Sequence, residues 1–266
     1  MNNILIDTHA HLYSEQFDAD RADMVRRAMA AGVGRMYLPN VDSQTIPAML
    51  DLERAFSGRC VAAMGLHPCS VQSATYQHEL AVVERWLGER PFCAIGEIGI
   101  DLYWDKTTLD EQIVAFERQI AWAKELDIPI LIHARESLDV IIPIIRAAKT
   151  ARLHGVFHCF TGTREQAQAI MDIGDFYMGI GGVLTYKKSG LDAVLDTVPM
   201  EYLVLETDAP YLPPTPHRGK RNESGYIVEV AHALARTKNS SYEEVAKQTT
   251  QNALDLFRAS ADDIAL

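Results

Sequence analysis

The chain has 266 residues, 48% of them hydrophobic and 23% charged. That balance suits a large apolar core, and α/β barrels of this length fold as one domain, here spanning 1–266. The formal net charge of −11, from 25 basic and 36 acidic residues, argues against non-specific binding to long nucleic acid. It leaves room for a nucleic-acid substrate where bound ions and local basic loops reverse the sign.

The N-terminal stretch, Met-Asn-Asn-Ile-Leu-Ile-Asp-Thr-His, lacks the basic and long apolar regions of a secretory signal. Apolar runs such as Val140–Ile145 are too short to cross a bilayer. Cys60, Cys69, Cys93 and Cys159 form no C-x-x-C pair and read as free thiols. The expectation is a cytoplasmic protein with no membrane contact, acting as a monomer.

Eight apolar runs of strand length follow one another along the chain. They are Ile4–His11, Met36–Val41, Cys60–His67, Phe92–Glu97, Pro129–His133, Gly155–Cys159, Phe176–Ile180 and Tyr202–Thr207. Helical patterns fall between them. Asp20 is the expected cap of a helix that turns Met24, Val25, Ala28 and Met29 inward, with Gly32 as its stop. Ile113, Phe116, Ile120, Ala123 and Leu126 recur at helical spacing. Asp139 as N-cap puts Pro143 near the first turn, where amides lack intrahelical acceptors. Tyr242–Phe257 reads as two short helices packed outside the sheet. Strands alternating with helices predict βαβ units and a parallel sheet, and eight units predict a closed (β/α)8 barrel, an open doubly wound sheet being the rival.

Chemistry-bearing residues collect at the ends of these runs: His9, His11, His67, Glu97, His133, Arg135, His158 and Asp208. In a barrel those ends and their loops form a single mouth. In His9-x-His11 the period of two turns both imidazoles to one side, a natural chelate for a divalent cation. Two histidines bonded to carbonyls or solvent are the bland alternative, and the matching strand ends tip the balance. His9, His11, Glu97, His133, His158 and Asp208 exceed what one tetrahedral ion needs and suit two ions, with Glu97 bridging. Imidazole and carboxylate together leave Mg, Mn and Zn open. An ion that lowers the pKa of its water makes Asp208 and Glu97 the catalytic candidates, Asp208 as general base. An aspartate ahead of Pro210 is also a common turn residue.

Basic loops favour a phosphate-bearing substrate. Lys187 and Lys188 follow the seventh run, and His217, Arg218, Lys220 and Arg221 follow the eighth behind Pro213, Pro214 and Pro216. Solvated loops are the alternative for both. His67, Arg135, Arg218 and Lys220 are the substrate-binding candidates, Arg135 meeting a phosphate or else orienting Glu136 or Asp101. Asp7 and Glu206 are candidates to orient a ligand histidine, or are simply buried acids. Tyr103-Trp104 follows the fourth run at the active face, where a ring can stack on a base, with core packing as the alternative reading of Trp104.

These motifs in order resemble the TatD family of metal-dependent hydrolases: Asp7-Thr-His-Ala-His11, Gly65-Leu-His-Pro68, Gly96-Glu-Ile-Gly-Ile-Asp101, Ile132-His-Ala-Arg135, His158-Cys-Phe-Thr-Gly162, Glu206-Thr-Asp-Ala-Pro-Tyr-Leu212 and Pro216-His-Arg-Gly-Lys220. The resemblance runs from Asp7 to about Phe257 and departs only slightly, at Ile98, Ile100 and Ala209. It implies an amidohydrolase-like barrel, a metal site at His9, His11, Glu97, His133, His158 and Asp208, and cleavage of DNA phosphodiester bonds from the 3′ end. The same geometry also serves esters, amides and lactones, so an aminoacyl-tRNA deacylase or lactonase is the alternative.

Overall fold

The computed structural model describes residues 4–264. Eight strands alternate with helices: β1 (Leu5–Asp7), α1 (Arg21–Ala30), β2 (Val33–Leu38), α2 (Ile46–Ala55), β3 (Cys60–Ala62), α3 (Tyr76–Glu89), β4 (Ile95–Asp101), α4 (Leu109–Leu126), β5 (Ile130–Arg135), α5 (Leu138–Ala148), β6 (Gly155–Phe157), α6 (Arg164–Met171), β7 (Phe176–Ile180), α7 (Leu191–Leu195) and β8 (Leu203–Leu205). Two more helices follow, α8 (Ile227–Thr237) and α9 (Tyr242–Phe257). All strand pairs are parallel, in the order β1-β2-β3 and β4-β5-β6-β7-β8. A Met64–Ile95 bridge joins the two sheets, and the Thr8 amide donates to the Leu205 carbonyl at 3.1 Å, closing β1 on β8. The predicted barrel is the observed architecture.

Strand parity explains how the interior is divided. Ile6, Tyr37, Ala63, Ala94, Leu131, Val156 and Val204 form one buried cluster with Ala253, Leu254, Leu256 and Phe257 of α9. Alternate residues such as Met36, Ile130, Ile132, Phe157 and Met178 pack instead among the helices. Counting on in twos from Ala63, Leu131, Val156 and Val204 reaches His67, His133, His158, and Glu206 with Asp208. Apolar side chains therefore fill one end of the barrel and polar ones the other.

Helix α9 seals the apolar end. Phe257 stacks on Tyr37 with ring centroids 3.5 Å apart, Thr250 donates to the Ile4 carbonyl, and Asn252 donates to the Met200 and Leu203 carbonyls. A capping box starts it, Ser241 and Glu244 satisfying each other's amides. The expectation of two short helices outside the barrel is thus corrected to one helix of 16 residues across its base.

Other local expectations need adjustment. Asp20 occupies the N-cap of α1, but its carboxylate accepts from Arg27 and Arg221 rather than from the helix amides. Ser137, not Asp139, occupies the N-cap position of α5, its hydroxyl donating to the Ile100 carbonyl, so Pro143 lies inside that helix; the buried faces of Ile141, Ile142 and Ile145 hold it in place. Leu126 ends α4 half exposed, because Asp127 turns the chain left-handed directly after it. His9, His11, His67, His158 and Asp208 lie just beyond their strands, and Glu97 lies inside β4, which continues to Asp101. Among the described residues no helix is long and apolar enough to cross a membrane.

Candidate metal centre

Glu97 is the hub. It is almost fully buried, and its two oxygens face different sets of imidazoles. Oε2 lies 3.1 Å from His9 Nε2 and 3.2 Å from His11 Nε2. Asp208 Oδ1 closes that side, 3.6 Å from His11 Nε2 and 3.9 Å from His9 Nε2. Oε1 lies 2.7 Å from His133 Nδ1, 2.9 Å from His158 Nε2 and 3.3 Å from His67 Nε2. All six side chains proposed from the sequence as metal ligands converge. His67, expected to touch substrate, joins them on the Oε1 side.

The backbone of β4 makes this approach feasible. Gly99 has a φ of 145°, and a Cβ there would sit 2.0 Å from the His133 carbonyl oxygen. A side chain at that position would push β4 away from β5 and separate Glu97 from His133. Gly179 does the same for β8, since its Cβ would meet Glu206 Oε2 at 2.1 Å.

Hydrogen bonds outside the cluster set which lone pairs face inward. Tyr13 has one hydroxyl proton and gives it to the Pro39 carbonyl, so it accepts from His11 Nδ1–H at 2.9 Å. That leaves the His11 Nε2 lone pair aimed at Glu97 and Asp208. His133 Nε2 meets Asp101 Oδ2 at 2.8 Å, which turns Nδ1 of a neutral His133 toward Glu97. Lone pairs thus face carboxylate oxygens, an arrangement that needs positive charge between them.

The electrostatics agree. Burial opposes charge on His133 and His158, yet carboxylates outweigh it: Asp101 and Glu97 raise His133, and Glu97 and Glu206 raise His158 well above the ordinary value. Burial also opposes ionisation of Glu97, but His67, His158 and His9 hold it well below the usual carboxylate range. Asp208 is different. Burial pushes it up to about 6, against the pull of His158 and His11. Three groupings have ligand atoms close enough to share an ion: His9–His11–Asp208, His67–Glu97–His133 and His9–His158–Glu206. The donor set, imidazole nitrogen with carboxylate oxygen in a buried pocket that attracts cations, fits divalent metal.

A family model described as TatD related DNase matches residues 6–258. The chain belongs to the TatD family. A metal-dependent hydrolase of Bacillus subtilis, YabD, whose activity is uncharacterized, is 38% identical over 256 residues, covering 96% of this chain and 99% of that one. A 3′-5′ ssDNA/RNA exonuclease TatD of Pantoea vagans is 33% identical over 261 residues, covering 96% of this chain and 99% of the relative. Among solved structures, the TatD homolog YJJV of Escherichia coli superposes with a TM-score of 0.89 at 29% identity, over 96% of this chain and 98% of that one. This TatD protein is accordingly a metal-dependent hydrolase on a (β/α)8 barrel.

Several features of this TatD site escape a reading of residue types along the chain. Asp101 lies four residues past Glu97 on the same strand, an even spacing that signals a shared face. Tyr13 stands two past His11, but nothing in its type marks it as a tautomer-setting partner. Asp7 does not orient an imidazole; it accepts from the Thr207 amide and hydroxyl at 2.9 and 2.6 Å. Glu206 lies 3.5 Å from His158 Nδ1 and accepts from the Cys159 amide.

The rim is more aromatic than expected. Arg135 contacts neither Glu136 nor Asp101 as an ion pair; its guanidinium lies over Tyr103, at 3.9 Å, and Trp104, at 5.4 Å. Trp104 is 69% exposed, which overturns its core reading. Arg218 lies 3.8 Å over Tyr186, and Lys220 is exposed nearby in sequence. Arg221 serves structure instead, pairing with Asp20 at 2.7 Å and covering Phe17.

Proposed function

We propose that the protein is a nuclease that removes nucleotides from the 3′ end of single-stranded DNA by hydrolysing phosphodiester bonds. The observation that carries this reading is the two-sided environment of Glu97, with His9, His11 and Asp208 at one oxygen and His67, His133 and His158 at the other. Those residues would hold two divalent ions, with Glu97 shared between them. Bound there, the ions supply Lewis-acid neutralisation of phosphoryl oxygens and lower the pKa of water. The exonuclease relatives support the substrate class.

The chain's own groups divide the remaining work. Asp208 is the more open of the two carboxylates, 14% exposed against 1% for Glu97. It is the carboxylate placed to accept a proton from the attacking water. Glu97, held ionised, keeps the two halves of the site in register. Arg135, Arg218 and Lys220 offer cationic contacts to phosphates at the mouth, which suits a substrate that must overcome a net charge of −11. Four free cysteines fit a reducing compartment, and we place the enzyme in the cytoplasm as a monomer.

The test is a chelator-stripped protein reloaded separately with Mg, Mn and Zn and given a 5′-labelled single strand. A ladder shortening from the 3′ end, dependent on the added ion, is expected. Hydrolysis of aminoacyl esters or lactones with the strand left intact overturns the assignment in favour of an esterase.

A further inference from the structure

Large exposed hydrophobic side chains are concentrated at the mouth. Of those among the described residues, Tyr103, Trp104, Tyr211 and Leu212 sit in loops after β4 and β8, while Val114 and Leu126 lie on α4. Exposed rings grouped at a site commonly mark a binding surface. The pair after β4 is also rigidly seated. Asp101 Oδ1 accepts the backbone amides of Tyr103 at 2.9 Å and Trp104 at 3.0 Å, while its Oδ2 holds His133 at 2.8 Å. One carboxylate thus ties the aromatic turn to an imidazole of the metal centre. Arg135 covers the inner ring, Tyr103, and leaves Trp104 half-open to solvent with a cation beside it.

We infer that Trp104 is the platform on which a base of the single-stranded substrate stacks, next to the phosphodiester that is cut. A base offers a flat π-face of any sequence, and an indole with a neighbouring guanidinium binds such faces with little base preference. Arg135 then neutralises the phosphate attached to the stacked nucleotide. Asp101 is a positioning residue: it sets the distance between base and metal centre, and so where along the strand the cut falls. The inference rests on the nuclease reading and deepens it to a subsite.

Because Trp104 is 69% exposed, Trp104→Ala and Trp104→Phe should fold as the parent does, which melting curves check. On a short single-stranded oligonucleotide, Trp104→Ala is expected to raise KM about tenfold with kcat little changed, and Trp104→Phe to restore most of the loss. An oligonucleotide lacking the bases next to the cut should bind parent and Trp104→Ala equally weakly. A second readout needs no turnover: in the presence of a chelator, oligothymidylate should quench indole emission of the parent and not of Trp104→Phe. Failure of the parent to cut the strand, with quenching intact, removes the nuclease reading alone. An unchanged KM in Trp104→Ala, or quenching that survives in Trp104→Phe, overturns the platform.

Discussion

At the scale of single residues the site depends on one buried carboxylate between two groups of donors. Glu97→Ala removes the shared ligand from both sides at once and leaves five imidazoles facing a cavity. Loss of a mere outer partner of a metal ligand typically costs 10–100-fold in affinity or activity, so loss of the hub should cost more than about 100-fold. Elemental analysis of the purified variant should show fewer ions per chain than the parent, with the fold intact by circular dichroism. An unchanged metal content and rate would remove Glu97 from the centre. Residue type and strand-end position made six of these side chains legible in the sequence, because metal ligands come from a short list of residue types. The tautomer-setting Tyr13 and the double role of Asp101 were not, because both act through hydrogen bonds to neighbours that only the fold supplies. Trp104 was ambiguous for a related reason: an indole reads the same whether packed or presented.

At the scale of elements, two attachments hold the barrel's ends. At the mouth, Asp20 at the start of α1 pairs with Arg221 and Arg27, tying the loop after β8 to α1. Hydrogen bonds from Arg221 and Arg27 hold the Asp20 carboxyl well below its ordinary value. A depressed folded-state pKa stabilises above the unfolded value of about 4 and is lost as the pH falls through the folded value. Asp20→Asn is therefore expected to lower Tm by about 1–3 °C at pH 7, with the gap narrowing below about pH 4. A gap that widens in acid contradicts this pairing. At the base, Phe257 is largely buried against Tyr37, and Phe257→Ala should cost about 3–5 kcal/mol, or roughly 10 °C in a thermal melt, while metal binding at the far end stays as it was. A variant that lost metal at full stability would show that α9 does more than close the base. Strand order and helix positions were legible here because hydrophobic period reports burial directly. The single long α9 was not, since a helix under a barrel buries two faces and blurs its stripe: Val245, Ala246, Thr249, Ala253, Leu254 and Phe257 are all inside.

At the scale of the molecule, the barrel separates stability from chemistry along its axis. Apolar side chains and α9 fill one end, and the other gathers imidazoles and carboxylates from six strands or the turns after them. A strongly acidic chain pays a repulsive cost for that gathering, which cations in the mouth relieve. The family and the barrel could be read from motif order alone, since (β/α)8 connectivity brings every strand end to one face. The rim could not, because loop conformation decides which arginines stay open to substrate and which, like Arg221, brace the fold. The most direct measurement is anomalous X-ray scattering from crystals soaked in Mn or Zn. The account predicts two peaks, one on each side of the Glu97 carboxylate: the first among His9, His11 and Asp208, the second among His67, His133 and His158. Ions bound elsewhere, or a Glu97 carboxylate in contact with neither, would contradict it.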